Sequence, residues 1–385
     1  MAENKKWKLS SEKIVEDTMF RYGMKLNEES LIHSWILDLE DTRLKKLFTK
    51  EEWNEIKVCN INKVPKIPED LAEHMVSYAE NDLRALRKKV LRSWINPDDE
   101  YDPRWQRITN MKSLKFRILI ISIDCVISNK CTFYERNSSP LERDMLENWY
   151  NINIWSIIFD RCFEQLEVVT CIRGESSSIA SSERKNKDRN LDKRKKMGRR
   201  NDRTIRERNG RCEFRLVEAA KKFEENSTKW LKESFKTPKI MRDMLVQLMS
   251  VVKNDDRAKK LRTVGWLHFG LYAQTLEMDC ANGYVCRLIC RELHKVGKGL
   301  DRDGIADTLA LLTAVLQTRY IVAETYNIIK MPEAPDKTLL LRIIDKVGSS
   351  LPKSSDKEVP TTARTPKKGR FQLRKKQKDI IVNMR

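Results

Sequence analysis

Apolar residues recur at helical spacing along most of the first 95 residues, and this periodicity predicts a helical amino-terminal region. The sequence Thr49-Lys50-Glu51-Glu52 has the spacing of a capping box, which predicts the start of one helix. A longer helix is predicted to begin at Pro68 and to end near the basic residues 87–89. The apolar segment 113–128 favours a buried helix, although its isoleucine-rich centre would also suit a strand.

Beyond residue 139 the pattern alternates between helices and strands. Ser139-Pro140-Leu141-Glu142 predicts the start of a helix that runs to about Leu166. Asn282-Gly283 is a strong turn signal, and its connection is expected to be longer than two residues. The remaining predicted elements are a strand over Cys212–Val217, a helix over 227–252 with a kink at Pro238, strands over Trp266–Met278 and Tyr284–Leu293, and a final helix that ends before Pro332.

These elements predict an α+β protein in three parts. They are a helical amino-terminal region over residues 1–138, an α/β core over 139–331 and a carboxyl-terminal tail over 332–385. The tail is poor in aromatic residues and rich in Pro, Ser, Thr and Lys, so it is predicted to be largely disordered. Residues 96–103 contain two prolines and are predicted to form a linker.

The positive charge is concentrated in two segments. The chain of 385 residues has a net charge of +20. Residues 184–211 hold 14 Lys or Arg against 4 Asp or Glu, and residues 353–385 hold 11 against 3, so the two segments carry +18. Such clusters attract phosphates by Coulomb forces and by counterion release, which makes DNA or RNA the expected partner. The candidate phosphate-binding residues are Arg194, Lys195, Lys196, Arg199 and Arg200 in the internal segment, and Lys367, Lys368, Arg370, Arg374, Lys375 and Lys376 in the tail.

Other classes of protein are disfavoured by what the chain contains. No apolar stretch follows Met1, so no secretory signal is predicted, and no run approaches the roughly 20 apolar residues that a membrane span needs. Nine irregularly spaced cysteines favour free thiols in a reducing compartment. The protein is therefore expected to be intracellular, and the basic tail also suits nuclear import. Cys286, Cys290 and His294 have a spacing that would suit zinc on a helix, but the predicted strand there favours core cysteines.

Acidic residues gather within residues 173–221, a stretch that is otherwise basic. Glu175, Asp202 and Glu218 are separated by basic stretches, and Lys221 follows the last of them. Carboxylates that are brought together by strand pairing can bind Mg²⁺, a hard ion that prefers oxygen ligands. A nearby lysine could polarise an attacking water or stabilise the developing phosphate charge. The competing interpretation is that these acids pair with neighbouring arginines in a folded basic surface.

Two resemblances bear on these residues. Over most of its length the chain resembles a large, expanded and uncharacterised family of fungal proteins, which brings no established activity with it. The stretches that carry this resemblance are Glu147–Ile152, Ile154–Asp160, Arg173–Ser176, Met197–Arg200 with Asp202, and Met241–Met244.

The order Glu, Asp, Glu, Lys is similar to that of the restriction-endonuclease-like PD-(D/E)XK superfamily. This resemblance implies a small mixed sheet flanked by helices and Mg²⁺-dependent cleavage of phosphodiester bonds. It would place Glu175 on a first helix, Asp202 on a strand, and Glu218 with Lys221 at the end of the next strand. Asp202 and Glu218 would then bind the metal, and Glu175 and Lys221 would assist.

The spacing of the last acid and the lysine departs from this pattern. The superfamily has one residue between them, so that both project from the same strand face, whereas Ala219 and Ala220 separate Glu218 from Lys221. A bulge could realign the two, the lysine could come from elsewhere in the chain, or the site could be inactive. Glu213-Phe214-Arg215 has the one-residue spacing but carries Arg in place of Lys.

The favoured function is thus a nucleic-acid-associated protein with a PD-(D/E)XK-like core that acts as a Mg²⁺-dependent endonuclease. The alternative is a non-catalytic interaction or regulatory protein that keeps a nuclease-like fold with a degenerate site. The spatial positions of Glu175, Asp202 and Glu218 distinguish the two, because catalysis needs their carboxylates close together. No particular protein partner, substrate preference or oligomeric state is indicated by the sequence.

Overall fold

A seven-stranded mixed sheet forms the centre of the protein in the computed structural model. The structure describes residues 1–80, 82–92, 114–135, 139–164, 166–190, 192–220, 228–253, 256–299 and 301–332. The strands are β1 (Ile36–Asp38), β2 (Val169–Ser177), β3 (Arg200–Glu207), β4 (Glu213–Ala220), β5 (Arg262–Phe269), β6 (Tyr272–Asn282) and β7 (Val285–Lys295). They lie side by side in the order β1-β7-β6-β5-β4-β3-β2.

Two antiparallel meanders, β2-β3-β4 and β5-β6-β7, make up most of the sheet. The meanders join where β4 pairs in parallel with β5. A parallel pair needs a crossover connection, and a long helix over Thr228–Val251 supplies it. The short strand β1 pairs in parallel with β7 and forms the far edge of the sheet.

The helices are numbered in chain order. They are α1 (Val15–Gly23), α2 (Thr42–Lys45), α3 (Lys50–Val58), α4 (Glu69–Val76), α5 (Leu83–Arg92), α6 (Leu114–Tyr134), α7, α8 (Ile179–Asn186), α9 (Thr228–Val251) and α10 (Arg302–Lys330). Helix α7 consists of the consecutive turns Glu147–Tyr150, Asn151–Asp160 and Arg161–Glu164, of which the middle part is π-helical. Short 3₁₀ turns cover Glu3–Lys5, Leu31–Ser34, Pro140–Glu142 and Asp256–Lys260.

Side chains on the central strands alternate between two helical layers, as strand geometry requires. Trp266 of β5 lies on one face, with its ring centroid 4.7 Å from that of Phe159 in α7, and donates a hydrogen bond to Thr318 of α10. Gly265 lies on the opposite face, where an added Cβ would come within 2.7 Å of the Met241 sulfur in α9. Helices α7 and α10 therefore cover one face of the sheet, and α9 covers the other.

This architecture confirms the predicted α+β class with a mixed sheet flanked by helices, and the sheet is larger than expected. The capping box at Thr49 is present, since its hydroxyl accepts from the backbone N–H of Glu52, whose carboxylate accepts from the backbone N–H of Thr49. The apolar segment 113–128 lies within helix α6, apart from its first residue, which is outside the described residues. Strand β1 was not predicted, because three residues are too few to show a period.

The single long helix predicted from Pro68 to residues 87–89 is wrong, because the chain forms α4 and α5 there. Helix α4 ends at Val76, and the Ser77 hydroxyl donates to the backbone oxygen of His74. Asp82 then accepts hydrogen bonds from the backbone N–H groups of the next helix. The Ser77 and Asp82 side chains thus separate the two helices, although apolar residues keep their helical spacing from one helix to the next.

The strand predicted over Trp266–Met278 is two strands. Phe269 pairs with Tyr272 across a tight turn, and Gly270 in that turn has a φ of +59°. The turn was hidden because the apolar run continues through it. The connection between β6 and β7 is also shorter than predicted, because Asn282 pairs with Val285 and only two residues lie between them.

The helix predicted to begin at Ser139 begins instead at Glu147, after a 3₁₀ turn that the Ser139 hydroxyl caps. The final helix, α10, ends at Lys330, before Pro332 as predicted. The predicted linker over 96–103 and residues 333–385 of the tail lie outside the described residues.

One helix in the described part of the chain is long and apolar enough to cross a membrane by length and composition alone. It is the Asp303–Lys330 part of α10, and 56% of its most apolar window is buried inside the protein. A buried core helix has the same composition, and α10 packs against the central sheet through contacts such as Trp266 with Thr318.

Candidate functional site

Asp202 and Glu218 are brought together by the pairing of two neighbouring strands. Arg203 of β3 pairs with Val217 of β4, and the next position on each strand towards the same end of the sheet is Asp202 and Glu218, respectively. The Asp202 carboxylate accepts a 2.7 Å hydrogen bond from the backbone N–H of Ala219. The prediction that both acids lie on adjacent strands therefore agrees with the structure.

Glu175 lies on strand β2 and not on a helix, so its predicted placement is wrong. Arg173 pairs with Arg203, and Ser176 pairs with Asn201, so the two residues between them on β2 face the single residue Asp202 on β3. This bulge is possible because Gly174 has a φ of +80°, a conformation that glycine adopts without strain. The backbone positions of Glu175, Asp202 and Glu218 therefore form one row across three adjacent strands.

We call the row formed by residues 175, 202 and 218 the acidic row. Glu218 has only 4% of its surface exposed, and its carboxylate forms a 2.8 Å ion pair with the ammonium of Lys236. Lys236 belongs to α9, the crossover helix that leaves the end of β4 and returns along the sheet. A basic side chain therefore reaches the acidic row from a helix.

The sequence pattern does not link Lys236 to Glu218, because 17 residues lie between them. The available signal was the crossover itself, since a helix that follows a strand directly begins near the carboxyl end of that strand. Lys221, the lysine singled out from the sequence, lies outside the described residues. The position that shares the strand face of Glu218 at one-residue spacing is Ala220, so β4 does not supply a lysine there.

Glu213 serves a different purpose from the one its spacing suggested. It is fully buried, and its carboxylate accepts hydrogen bonds from the Ser178 hydroxyl and from the backbone N–H groups of Ile179 and Ala180. Arg206 adds an ion pair at 2.8 Å. Glu213 therefore caps the first turn of α8 and holds this helix against the sheet. Glu213 is thus a structural residue, and it precedes Glu218 of the acidic row by five positions on β4.

Two residues of the internal basic segment, Lys196 and Met197, are hydrogen-bonded to the end of α8. The Asn186 side chain donates to the Lys196 carbonyl at 2.7 Å and accepts from the Lys196 backbone N–H at 2.8 Å. Lys185 donates to the Met197 carbonyl at 2.9 Å. Arg194, Lys195, Lys196 and Arg200 are exposed. Arg200 begins β3 opposite Ser177, so the basic surface meets the sheet two residues from Asp202.

Arg199 differs from the other predicted phosphate-binding residues. Its side chain is half-buried and lies 4.0 Å from the carboxylate of Asp243 in α9, which also pairs with Arg184 at 2.7 Å. Burial lowers the pKa of Arg199 and raises the pKa of Asp243. Arg199 therefore helps to join the basic segment to α9, whereas its neighbours face solvent. The six basic residues predicted in the tail lie outside the described residues.

The described part of the chain contains no group of three or more His, Cys, Asp or Glu side chains that could hold a metal ion. Cys286, Cys290 and His294 lie on strand β7, and Cys286 is fully buried in the core.

Comparisons with protein-family models, characterised proteins and solved structures gave no match to this chain.

Proposed function

We propose that this protein binds nucleic acid and cleaves phosphodiester bonds with the help of Mg²⁺, on a PD-(D/E)XK-like core. The observation that carries the proposal is that strand pairing aligns the backbone positions 175, 202 and 218, and that Lys236 forms an ion pair with Glu218. The strand positions of Asp202 on β3 and Glu218 near the end of β4 support the proposal, whereas Glu175 lies on β2 and not on the first helix of the pattern.

The two carboxylates are the residues that would hold the metal. Asp202 and Glu218 offer hard oxygen ligands on adjacent strands, which suits Mg²⁺. When bound, Mg²⁺ polarises a phosphoryl oxygen and lowers the pKa of a coordinated water. Lys236 would stabilise negative charge that develops on the phosphate, a role that the sequence pattern assigned to Lys221.

The exposed basic residues beside the row would hold the phosphate backbone. Arg194, Lys195, Lys196 and Arg200 are exposed, and Arg200 lies at the start of the strand that carries Asp202. Each neutralised phosphate of duplex DNA adds about −0.9 to the slope of log affinity against log salt. We therefore expect binding that weakens steeply between low and moderate salt, with weak sequence selectivity. Affinity that barely changes with salt would contradict this part of the proposal.

The decisive experiment compares the wild type with Asp202→Asn, Glu218→Gln and Lys236→Met. We expect all three variants to lose Mg²⁺-dependent cleavage of DNA or RNA and to keep salt-sensitive binding, because the binding charges lie outside the row. Glu207→Gln is a matched control, since Glu207 is an ion-paired acid on β3 outside the row, and it should cleave like the wild type.

Thermal unfolding of the same proteins shows whether lost cleavage reflects lost structure. Neutralising one partner of a buried ion pair costs about 3–5 kcal/mol, so Lys236→Met and Glu218→Gln are expected to be less stable if the pair is mainly structural. The Glu218→Gln/Lys236→Met double variant removes both charges and should restore stability without restoring cleavage. Recovered cleavage in the double variant would remove the acidic row from the mechanism.

A non-catalytic interaction protein with a degenerate site is the second candidate. Ala220 favours it, because alanine stands at the strand position where the superfamily pattern has its lysine. Lys236 would then only neutralise Glu218. Nucleic-acid binding without cleavage by the purified wild type, across DNA and RNA substrates and several divalent ions, would select this candidate.

A further inference from the structure

The sheet face opposite α9 contains a fully buried arginine within a cage of aromatic rings. Arg215 of β4 has no exposed surface, and its guanidinium carbon lies 4.2 Å from the ring centroid of Phe159 and 4.7 Å from that of Phe163. Trp266 adds a third ring at 5.9 Å. Cation–π contacts satisfy the faces of the guanidinium, but its N–H donors point from its edge.

Those donors have no acceptor among the described residues. Among the residues that the structure describes, none forms a hydrogen bond with Nε, Nη1 or Nη2 of Arg215. Burial lowers the pKa of Arg215 to about 9, so the side chain still carries its charge at neutral pH. Buried polar groups in proteins nearly always have partners, and a charged one without them is strongly disfavoured.

A second buried side chain in the same cage has the same deficit. His268 is fully buried, and its ring centroid lies 4.3 Å from that of Trp155 and 4.9 Å from that of Phe159. Neither ring nitrogen has a hydrogen-bond partner within the described ranges. Burial and the nearby arginines hold the pKa of His268 well below its usual range, so its ring is neutral and carries one N–H donor. Phe159 therefore has both Arg215 and His268 within 5 Å of its ring centroid.

The buried carboxylate of Asp160 is already paired with two other arginines. Asp160 of α7 accepts a 3.1 Å hydrogen bond from Arg203, and it also pairs with Arg173. Arg203 is itself almost fully buried, and its charge lowers the pKa values of both Arg215 and His268. Among the described side chains of this cluster, the buried cations Arg203 and Arg215 therefore face one buried carboxylate, that of Asp160.

We propose that Arg215 and His268 bind a small monovalent anion of the halide class, chloride in a cell, inside this aromatic cage. An anion supplies both the acceptor that the N–H donors need and the negative charge that the cluster needs. The full burial of both side chains and the rings around them favour a monatomic ion over phosphate or a nucleotide. The site lies on the opposite face of β4 from the Lys236 ion pair and does not depend on the proposed nuclease activity.

Urea unfolding at constant ionic strength tests the proposal, with sodium gluconate exchanged stepwise for sodium chloride or bromide. A ligand that binds only the native state lowers the unfolding equilibrium constant tenfold for each tenfold rise in its concentration above Kd. We expect this response in the wild type and in Lys195→Met, a surface control that removes one exposed cation. Arg215→Met should lose it while keeping the general effect of anions on a basic protein.

Crystals of the wild type grown in sodium bromide give a second measurement that does not depend on a folded variant. An anomalous peak at the guanidinium edge of Arg215 is the expected result. Equal halide responses in wild type and Arg215→Met would overturn the proposal. So would a crystal in which bromide is absent from the cage while water or a side-chain oxygen bonds to Arg215.

Discussion

Lys130 provides a sharp test of the packing between α6 and the turn that precedes α10. Its side chain is 5% exposed, and its ammonium donates to the Gly297 carbonyl at 2.6 Å and to the Thr308 hydroxyl at 3.2 Å. These neutral acceptors compensate only part of the lost hydration. Burial consequently lowers the pKa of Lys130 from 10.5 to about 7.

The lowered pKa makes stability depend on pH in a definite direction. Between pH 10.5 and about pH 7 the unfolded chain keeps the proton of Lys130 and the native protein loses it. The native state is therefore destabilised as pH falls through this window, by about 1.4 kcal/mol per pH unit and by about 5 kcal/mol across it. Below about pH 7 both states are protonated, and this contribution stays constant.

Replacing Lys130 with Met keeps an unbranched side chain, one atom shorter, and removes the titrating amine. The variant loses two hydrogen bonds, worth about 1 kcal/mol each, but it also loses the pH-dependent cost. We expect Lys130→Met to be about 3 kcal/mol more stable than the wild type near pH 7. The advantage should shrink by about 1.4 kcal/mol per pH unit and reach zero at about pH 9.

Urea unfolding at pH 7, 8 and 9 measures this difference, and all other titrating groups cancel between the two proteins. Lys195→Met serves as the control, since Lys195 is exposed and its removal should give a difference that does not vary with pH. A constant difference between Lys130→Met and the wild type would refute the reasoning. It would mean that Lys130 titrates as in water and is not desolvated.

Three further substitutions test individual contacts. Glu213→Ala removes the cap of α8 and leaves Arg206 without its buried partner, so we expect a loss of about 3–5 kcal/mol in unfolding free energy and faster amide exchange in α8. Gly283→Ala should lower the unfolding free energy by more than about 1 kcal/mol, because Gly283 has a φ of +58° and an added Cβ would lie 2.1 Å from the Glu16 carboxylate. An unchanged melting temperature would contradict this prediction. The buried Arg287 side chain donates to three carbonyls at the end of α3 and forms an ion pair with Asp279 on β6. We expect Arg287→Met to lower the unfolding free energy by about 3–5 kcal/mol and to speed amide exchange selectively at the end of α3.

Features that depend on neighbouring residues could be predicted from the sequence. The capping box at Thr49 needs only a hydroxyl and a carboxylate three positions apart, and it is present. The crossover helix α9 and the turn after Asn282 were visible for the same reason. The turn at Gly270 was not predicted, because the apolar run of β5 continues through it into β6.

The candidate site depended on tertiary structure because its members are far apart in the chain. The sequence named Asp202 and Glu218 by their order and residue type, but only the pairing of β3 with β4 brings them side by side. Glu175 joins the row through a bulge at Gly174, which no helical or strand period reveals. Lys236 reaches Glu218 because a parallel strand pair forces the chain to cross back over the sheet. Local chemistry thus fixed which residues were available, and long-range pairing and packing decided which of them meet.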